Sequence, residues 1–200
     1  MTTLSEQQPA RSPVNAASLE TRFAAGLNWE QYLATDPDKA GNWRTIYDQV
    51  DLTSEQRRLV GGFTRDMKAL CVSGIWCGDC VQQGPLIQRI ADAGPKIDLR
   101  WVDRDEHPDL AEQIKINAGL RVPMLIFLAE DYEPVAIFGD RTLTRYRAMA
   151  AKQLGAACPL PGAPIPDHEL AATLQDWLDE FERVHLLLRL SGRLRQKHGD

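Results

Sequence analysis

The chain is short of cysteine, has no long apolar run and carries no excess of positive charge, and each shortage excludes something. Four cysteines in 200 residues, at positions 71, 77, 80 and 158, are too few and too unevenly spaced for a secreted disulfide scaffold. A reducing, cytoplasmic compartment is therefore expected. The longest apolar stretches, Val122–Leu128 and Val184–Leu190, fall far short of the ~20 residues that a membrane helix needs, so no membrane partner is expected. Lys and Arg number 23 against 28 Asp and Glu, a formal net charge of −5, which leaves no electrostatic footprint for nucleic acid. The opening stretch, MTTLSEQQPARSPVNAAS, lacks the apolar core of a secretory signal. No P-loop, dinucleotide glycine pattern or Ser/His/Asp arrangement is present. A zinc site needs four ligands, typically from two cysteine pairs, and the scattered His107, His168, His185 and His198 do not complete one, so no metal is expected.

What remains is an ordinary globular composition, 44% hydrophobic and 26% charged. A chain of this length buries roughly 70% of its unfolded surface and needs no disulfide to stay folded. Residues 1–18 are polar and without period, and read as a flexible arm. Residues 19–67 hold helical fragments rich in aromatics (Phe23, Trp29, Tyr32, Trp43, Tyr47) that suggest packing on a main domain. Thr53 followed by Gln56 is a capping-box pattern that starts a helix, which Gly61-Gly62 weakens or ends. Residues 68–155 then alternate in type. Strands are expected over Lys68–Gly74, Ile97–Val102, Pro123–Leu128 and Pro134–Phe138, and helices over Gly78–Ala93, Asp109–Asn117 and Leu143–Leu154. Asp131-Tyr132 marks a hairpin turn. The order β-α-β-α-β-β-α predicts a small mixed sheet covered by helices. Residues 156–167 form a Pro-rich connector. In 168–200, Leu170, Leu174, Trp177, Phe181, Val184 and Leu188 recur at spacings of four and three, an amphipathic helix expected to pack on its own domain. Arg189, Arg193, Arg195 and Lys197 read as the solvated, dipole-complementing end of that helix.

The strongest chemical signal is Trp76-Cys77-Gly78-Asp79-Cys80. A bare C-x-x-C is ambiguous between redox and metal chemistry. Here it follows a predicted strand and opens a predicted helix, where unpaired N–H groups and the helix dipole stabilise a thiolate. Cys77 is then the exposed nucleophile, and Cys80, a turn further in, the shielded sulfur that resolves a mixed disulfide.

The motif resembles the active-site turn of the thioredoxin family, Trp-Cys-Gly-x-Cys between strand and helix. Pro85 falls where the family kinks its active-site helix. Gly119-Leu120-Arg121-Val122-Pro123 is similar to the approach to the family's cis-proline, and Gly139 falls at the spacing of a glycine near the substrate groove. The resemblance covers roughly Lys68 to Leu154. It implies an α/β, thioredoxin-like fold, a central mixed β-sheet flanked by helices, here with helical N- and C-terminal extensions. It further implies a thiol–disulfide oxidoreductase in which Cys77 attacks and Cys80 resolves. Trp76 flanks the pair, Gly78 and Asp79 complete its turn, Pro123 is cis against the sulfurs, and the Val122 backbone pairs with an extended substrate.

The implied partners are a disulfide-containing protein or small molecule and an external reductant, with no bound cofactor, acting on a monomer or weak dimer. Two departures from the family pattern matter. Asp79 replaces the usual proline, as in a bacterial branch with Trp-Cys-Gly-Asp motifs; its anion is expected to oppose thiolate formation and make the pair reducing. Cys71 stands where the family usually has a buried acid, and reads as a small buried apolar residue. Cys158 reads as an incidental thiol and His107 as a surface loop residue. A non-catalytic adaptor is the main alternative; peroxide reduction is a weaker one, since nothing marks a peroxide pocket.

Overall fold

All residues of Met67–Ser73 except Lys68 are buried, because this strand, β1, has neighbours on both edges in a computed structural model that describes residues 14–154 and 168–200. Strand β2 (Ile97–Asp103) runs parallel to β1 on one side, and β3 (Met124–Leu128) antiparallel on the other. Strand β4 (Pro134–Gly139) pairs antiparallel with β3 and closes the order β2-β1-β3-β4. It opens on Pro134, which has no N–H for a ladder and suits an edge strand. The β3–β4 hairpin turns through Asp131 and Tyr132, the latter at φ 64°. The mixed α/β sheet expected from the sequence is the one observed.

Helix α5 (Gly78–Ala93) joins β1 to β2 and has the predicted bounds. Pro85 lies inside it and offers no N–H to the carbonyl one turn back. Helix α6 (Pro108–Gln113) is shorter than the expected Asp109–Asn117. The chain leaves the helical region because Asn117 and Ala118 take φ of 47° and 58°. That turn brings Ile116 back onto Gly119 in an isolated bridge.

The N-terminal segment is four short helices: α1 (Ala16–Ala25), α2 (Trp29–Leu33), α3 (Pro37–Gln49) and α4 (Ser54–Gly61). Residues 16–18, expected in the arm, belong to α1, because the Asn15 side chain accepts the Ser18 N–H and caps it. Helix α4 carries the predicted Thr53/Gln56 capping box and ends at Gly62. These helices dock through aromatics. Trp29, Tyr32, Trp43 and Trp101 of β2 pack with ring centroids 5.3–5.9 Å apart, pairs that add about 0.5–1.5 kcal/mol each beyond burial. The indole N–H groups are not stranded: Trp43 Nε1 donates to Ile75 O at 3.0 Å and Trp101 Nε1 to Gln88 Oε1 at 3.0 Å. Leu27 and Trp101 exchange both backbone hydrogen bonds at 2.8 Å, which stitches the segment before α2 to β2.

The C-terminal part forms α7 (Leu143–Leu154), α8 (Glu169–Leu190) and α9 (Gly192–His198), with α8 on the same face of the sheet as Trp101. The α8 stripe Leu174, Trp177, Phe181, Val184 and Leu188 is buried. Phe181 meets Phe127 of β3, and Trp177 meets Phe138 of β4, each edge-on at 5.1 Å. The single C-terminal helix expected from the sequence is two helices, because the chain turns extended at Ser191, whose hydroxyl then caps α9. Its basic residues are also more than a solvated helix end. Arg193 pairs with Asp131, Lys197 and His198 with Glu130, and Arg189 with Asp200. Cys158 and the Pro-rich connector lie outside the described residues.

Helix α3 reaches the active-site helix through one close approach. A Cβ on Gly84 of α5 would lie 2.2 Å from Trp43 Cζ3, so only glycine admits the indole there. Gly84→Ala should destabilise the fold by about 1–3 kcal/mol through overpacking. A urea midpoint equal to that of the unaltered protein would contradict this packing.

Candidate active site at the start of α5

Three residues, Gly74, Ile75 and Trp76, carry the chain from β1 to Cys77, the N-cap of α5. Cys77 has φ −83° and ψ 125°, and its side chain makes no capping bond. Its N–H donates to Gly74 O at 2.9 Å and its carbonyl accepts the Val81 N–H at 3.0 Å. The sulfur is therefore held at the head of the helix but left available. Cys77 is half-buried and Cys80, one turn in, is fully buried; both are free thiols, as is Cys71.

Burial and the helix head pull the two thiols apart in acidity. The Cys80 S–H donates to the Cys77 sulfur, and this is the leading influence that lowers Cys77 to about 6. Partial burial opposes it, the backbone N–H groups of Cys80 and Asp79 reinforce it, and the Asp79 carboxylate opposes it least of all. Cys80 moves the other way. Burial raises it most, the bond to Cys77 raises it further, and the Ser73 hydroxyl and Gly74 N–H pull it back down. At neutral pH the outer sulfur is a thiolate and the inner one a thiol.

The remaining expected site residues gather unevenly. Trp76 is 45% exposed and lies against Gly74, where a Cβ would sit 2.7 Å from its ring. The Arg104 guanidinium is 4.6 Å from the Trp76 ring and donates to Leu120 O at 3.1 Å, tying the indole to the segment before Pro123. The Val122–Pro123 peptide bond is cis, and the Cys77 sulfur lies 3.9 Å from Val122 O. Gly139, at φ +151°, must be glycine: a Cβ would lie 2.4 Å from Pro123 O and 2.7 Å from Met124 Sδ. Gly78 is the first residue of α5, and a Cβ there would meet nothing within 4 Å.

Asp79 opposes the Cys77 thiolate in the expected direction, as the last of the influences on it. Its carboxylate does not stand free beside Cys77. Arg141 Nε donates to Asp79 Oδ1 at 2.9 Å, Arg141 Nη2 bonds Oδ2, and Arg145 Nη2 reaches Oδ1 at 3.5 Å. Arg141 also meets Asp140 at 3.3 Å, and Arg145 meets Glu169 of α8 at 2.7 Å. The carboxylate is thus paired with two guanidiniums, and its opposition to the Cys77 thiolate is outweighed by the Cys80 hydrogen bond and the backbone N–H groups. Arg141 lies two residues before α7 and Arg145 in its first turn, so helical spacing did not announce that the two would converge on one carboxylate. Cys71, opposite Trp101 and Leu125 in the sheet, is held well above the usual thiol range by burial. His107 caps α6, and its Nδ1 lies 2.9 Å from Arg22 Nη1. Among the described residues no group of three or more His, Cys, Asp or Glu could hold a metal ion, and no helix is long and apolar enough to cross a membrane.

A four-stranded mixed sheet, with two cysteines at a helix head facing a cis X-Pro bond, defines a class of α/β protein built around a dithiol. A family model described as Thioredoxin matches residues 26–152, and the chain belongs to the thioredoxin family. The match begins well before β1 and so takes in α2, α3 and α4. Among curated proteins the chain is similar to "Putative thioredoxin 2" of Streptomyces coelicolor, 35% identical over 65 residues, which is 32% of this chain and 44% of that one. It is similar also to "Thioredoxin-1" of Saccharomyces cerevisiae, 28% identical over 76 residues, 38% of this chain and 71% of that one. The chain thus spans less than half of the first relative. A solved Pseudomonas aeruginosa protein of unknown function shares the fold with TM-score 0.60 at 17% identity, over 86% of this chain and 96% of that one.

Cys77 should be alkylated at a rate that rises through pH about 6 and levels off above it, since the thiolate is the nucleophile. Removing the guanidinium in Arg141→Met should move that midpoint upward by up to about one pH unit, and Asp79→Asn should move it downward. The double variant should return near the starting value. Equal midpoints in all four proteins would show that the ion pair does not act on Cys77.

Proposed function

We propose that the protein is a thiol–disulfide oxidoreductase working chiefly as a disulfide reductase. The Cys77 thiolate attacks one sulfur of a substrate disulfide; a Cys77–substrate bond forms as the substrate S–S bond breaks and one thiolate leaves. Cys80 then attacks Cys77, the Cys77–Cys80 disulfide forms, and the second substrate sulfur departs. The substrate gains two electrons and the protein loses two. An external dithiol or reductase returns them, and the reading requires no bound cofactor.

The observation that carries this reading is the split between the two sulfurs. A half-buried thiolate sits at the helix head, and the thiol that resolves it lies beneath, its S–H already directed at Cys77. Trp76, Val122, Pro123 and Gly139 lie beside Cys77 in this reading, and the Val122 backbone, next to the Cys77 sulfur, would pair with an extended substrate segment in strand-addition fashion. Gly78 and Asp79 complete the turn and lend it backbone N–H groups and a pinned carboxylate. The reductase direction rests on acidity. A Cys77 near about 6 resembles the thioredoxin thiol at about 7 more than the strong oxidant's at about 3.5.

Equilibration in graded glutathione buffers, with alkylation trapping and mass mapping, should give one two-electron transition on Cys77–Cys80. Its potential is expected between about −200 and −290 mV. Cys77→Ser should abolish disulfide reduction, and Cys80→Ser should accumulate a mixed disulfide on Cys77. Absence of any reversible Cys77–Cys80 pairing would sink the oxidoreductase and leave a binding protein on a thioredoxin fold.

A further inference from the structure

Cys80 cannot attack while it carries its proton, and burial holds that proton firmly. The groups around it offer few ways out. Cys71 is a thiol that burial keeps protonated. Asp79 is committed to Arg141 and Arg145. Cys77 is bonded to substrate at that step, and the Gly74 N–H only donates. What remains is the Ser73 hydroxyl at the end of β1, which is fully buried and acts on the Cys80 sulfur.

Behind Ser73 lies the hydroxyl of Tyr32, from α2, a side chain only 1% exposed yet within reach of Ser73 and close enough to feel Cys80, Cys71 and Asp103. Neither hydroxyl oxygen completes an aligned hydrogen bond with another protein group, an uncommon state for buried oxygens. The ring is held in place: it stacks on Trp101 at 5.3 Å and 20°, and stands edge-on to Trp43 at 5.6 Å. Its far side forms part of a crevice of about 300 Å³ that is lined also by Asp103 and, further out, by Asp36, Glu106 and His107. Asp103 is the register partner of Ser73 across β1 and β2.

We propose that the Ser73 and Tyr32 hydroxyls form a proton path from Cys80 to the Asp103 crevice, which makes both positioning residues for the resolving step. The inference rests on the oxidoreductase reading above. As the Cys80 S–H bond breaks, Ser73 accepts the proton and passes its own to Tyr32. Tyr32 in turn releases its proton toward the Asp103 carboxylate and the solvent of the crevice. The electron pair left on Cys80 forms the bond to Cys77, and the pair of the broken Cys77–substrate bond leaves on the substrate sulfur. Both hydroxyls end the step as they began it. Burial keeps the Tyr32 phenol far above its ordinary acidity range, so it relays a proton and never serves as a standing base.

The test is stopped-flow reaction of the reduced protein with a symmetric aromatic disulfide that liberates one coloured thiolate at each step. The first phase reports attack by Cys77 and the second reports resolution by Cys80. Tyr32→Phe keeps the stacked ring and removes only the hydroxyl; Ser73→Ala removes the other oxygen. Each should leave the first phase unchanged and slow the second by at least about tenfold, in the range of proton-transfer effects. The slowed phase should rise with pH where that of the unaltered protein is level, since hydroxide must then take the proton. A second phase that keeps its rate and pH profile in both variants overturns the path, as does equal slowing of both phases. A wild-type protein that releases no coloured thiolate at Cys77 fails earlier, and overturns the oxidoreductase reading itself.

Discussion

The unpaired N–H groups in the first turn of α5 are the constraint around which the molecule is organised. They favour negative charge at one point in space, the sulfur of the N-cap residue. They do so only while α5 stays seated on the sheet with its head exposed. The buried stripe Leu86, Ile87 and Ile90 seats it on one side. Trp43 in the notch at Gly84 fixes it on the other. Gln83 binds it from beneath, its amide donating to Asp140 O at 2.9 Å while its carbonyl oxygen accepts from Thr142 N and Trp177 Nε1. That last bond makes α8 part of the seat, so the flanking helices on both sides hold the same element.

Electrostatic compensation is the second condition. A chain with net charge −5 places a carboxylate two residues from its most acidic thiol, an arrangement that works against the thiolate. Two guanidiniums, Arg141 just before α7 and Arg145 in its first turn, pair with that carboxylate. Because they are only 14% and 20% exposed, solvent screens the pairs less than it would at an open surface. Glu169 then ties Arg145 to α8. The charge balance at the active-site turn therefore draws on three elements that are distant in sequence.

Much of this was legible in the residues. The order of elements along the chain, the bounds of α5 and the Thr53 cap follow from local patterns, each set by rules of a few residues' reach, and the cis-proline from the family resemblance. The places that sequence reading missed are of a different kind. The arginine partners of Asp79 were not foreseen, because spacing along the chain says nothing about which arginine folds back across 62 residues to meet it. Helix α6 was drawn too long because neither Asn117 nor Ala118 announces a left-handed turn as a glycine would. The α8–α9 break falls at Ser191-Gly192, a dipeptide that marks turns and that the strong apolar period of α8 overshadowed. Tyr32, which looked like one more packing aromatic, differs from its neighbours in a single oxygen atom, whose surroundings are set wholly by tertiary contacts.

In the proposed oxidoreductase, the acidity split between Cys77 and Cys80 would set the order of events, since two neighbouring titratable groups driven apart take different roles. The same burial that keeps Cys80 protonated, and so prevents it from competing with Cys77 for substrate, obstructs it when its turn comes. A dithiol built this way needs a route for one proton through a dry interior. Cys71 holds a protonated thiol in β1, so the proposed route starts at Ser73, the last residue of that strand, and continues outside the sheet. The N-terminal helices supply the buried hydroxyl that adjoins Ser73. The family match, which begins at residue 26, includes the helix that carries it. Those helices are thus better described as a wall of the active site than as an addition to a complete domain.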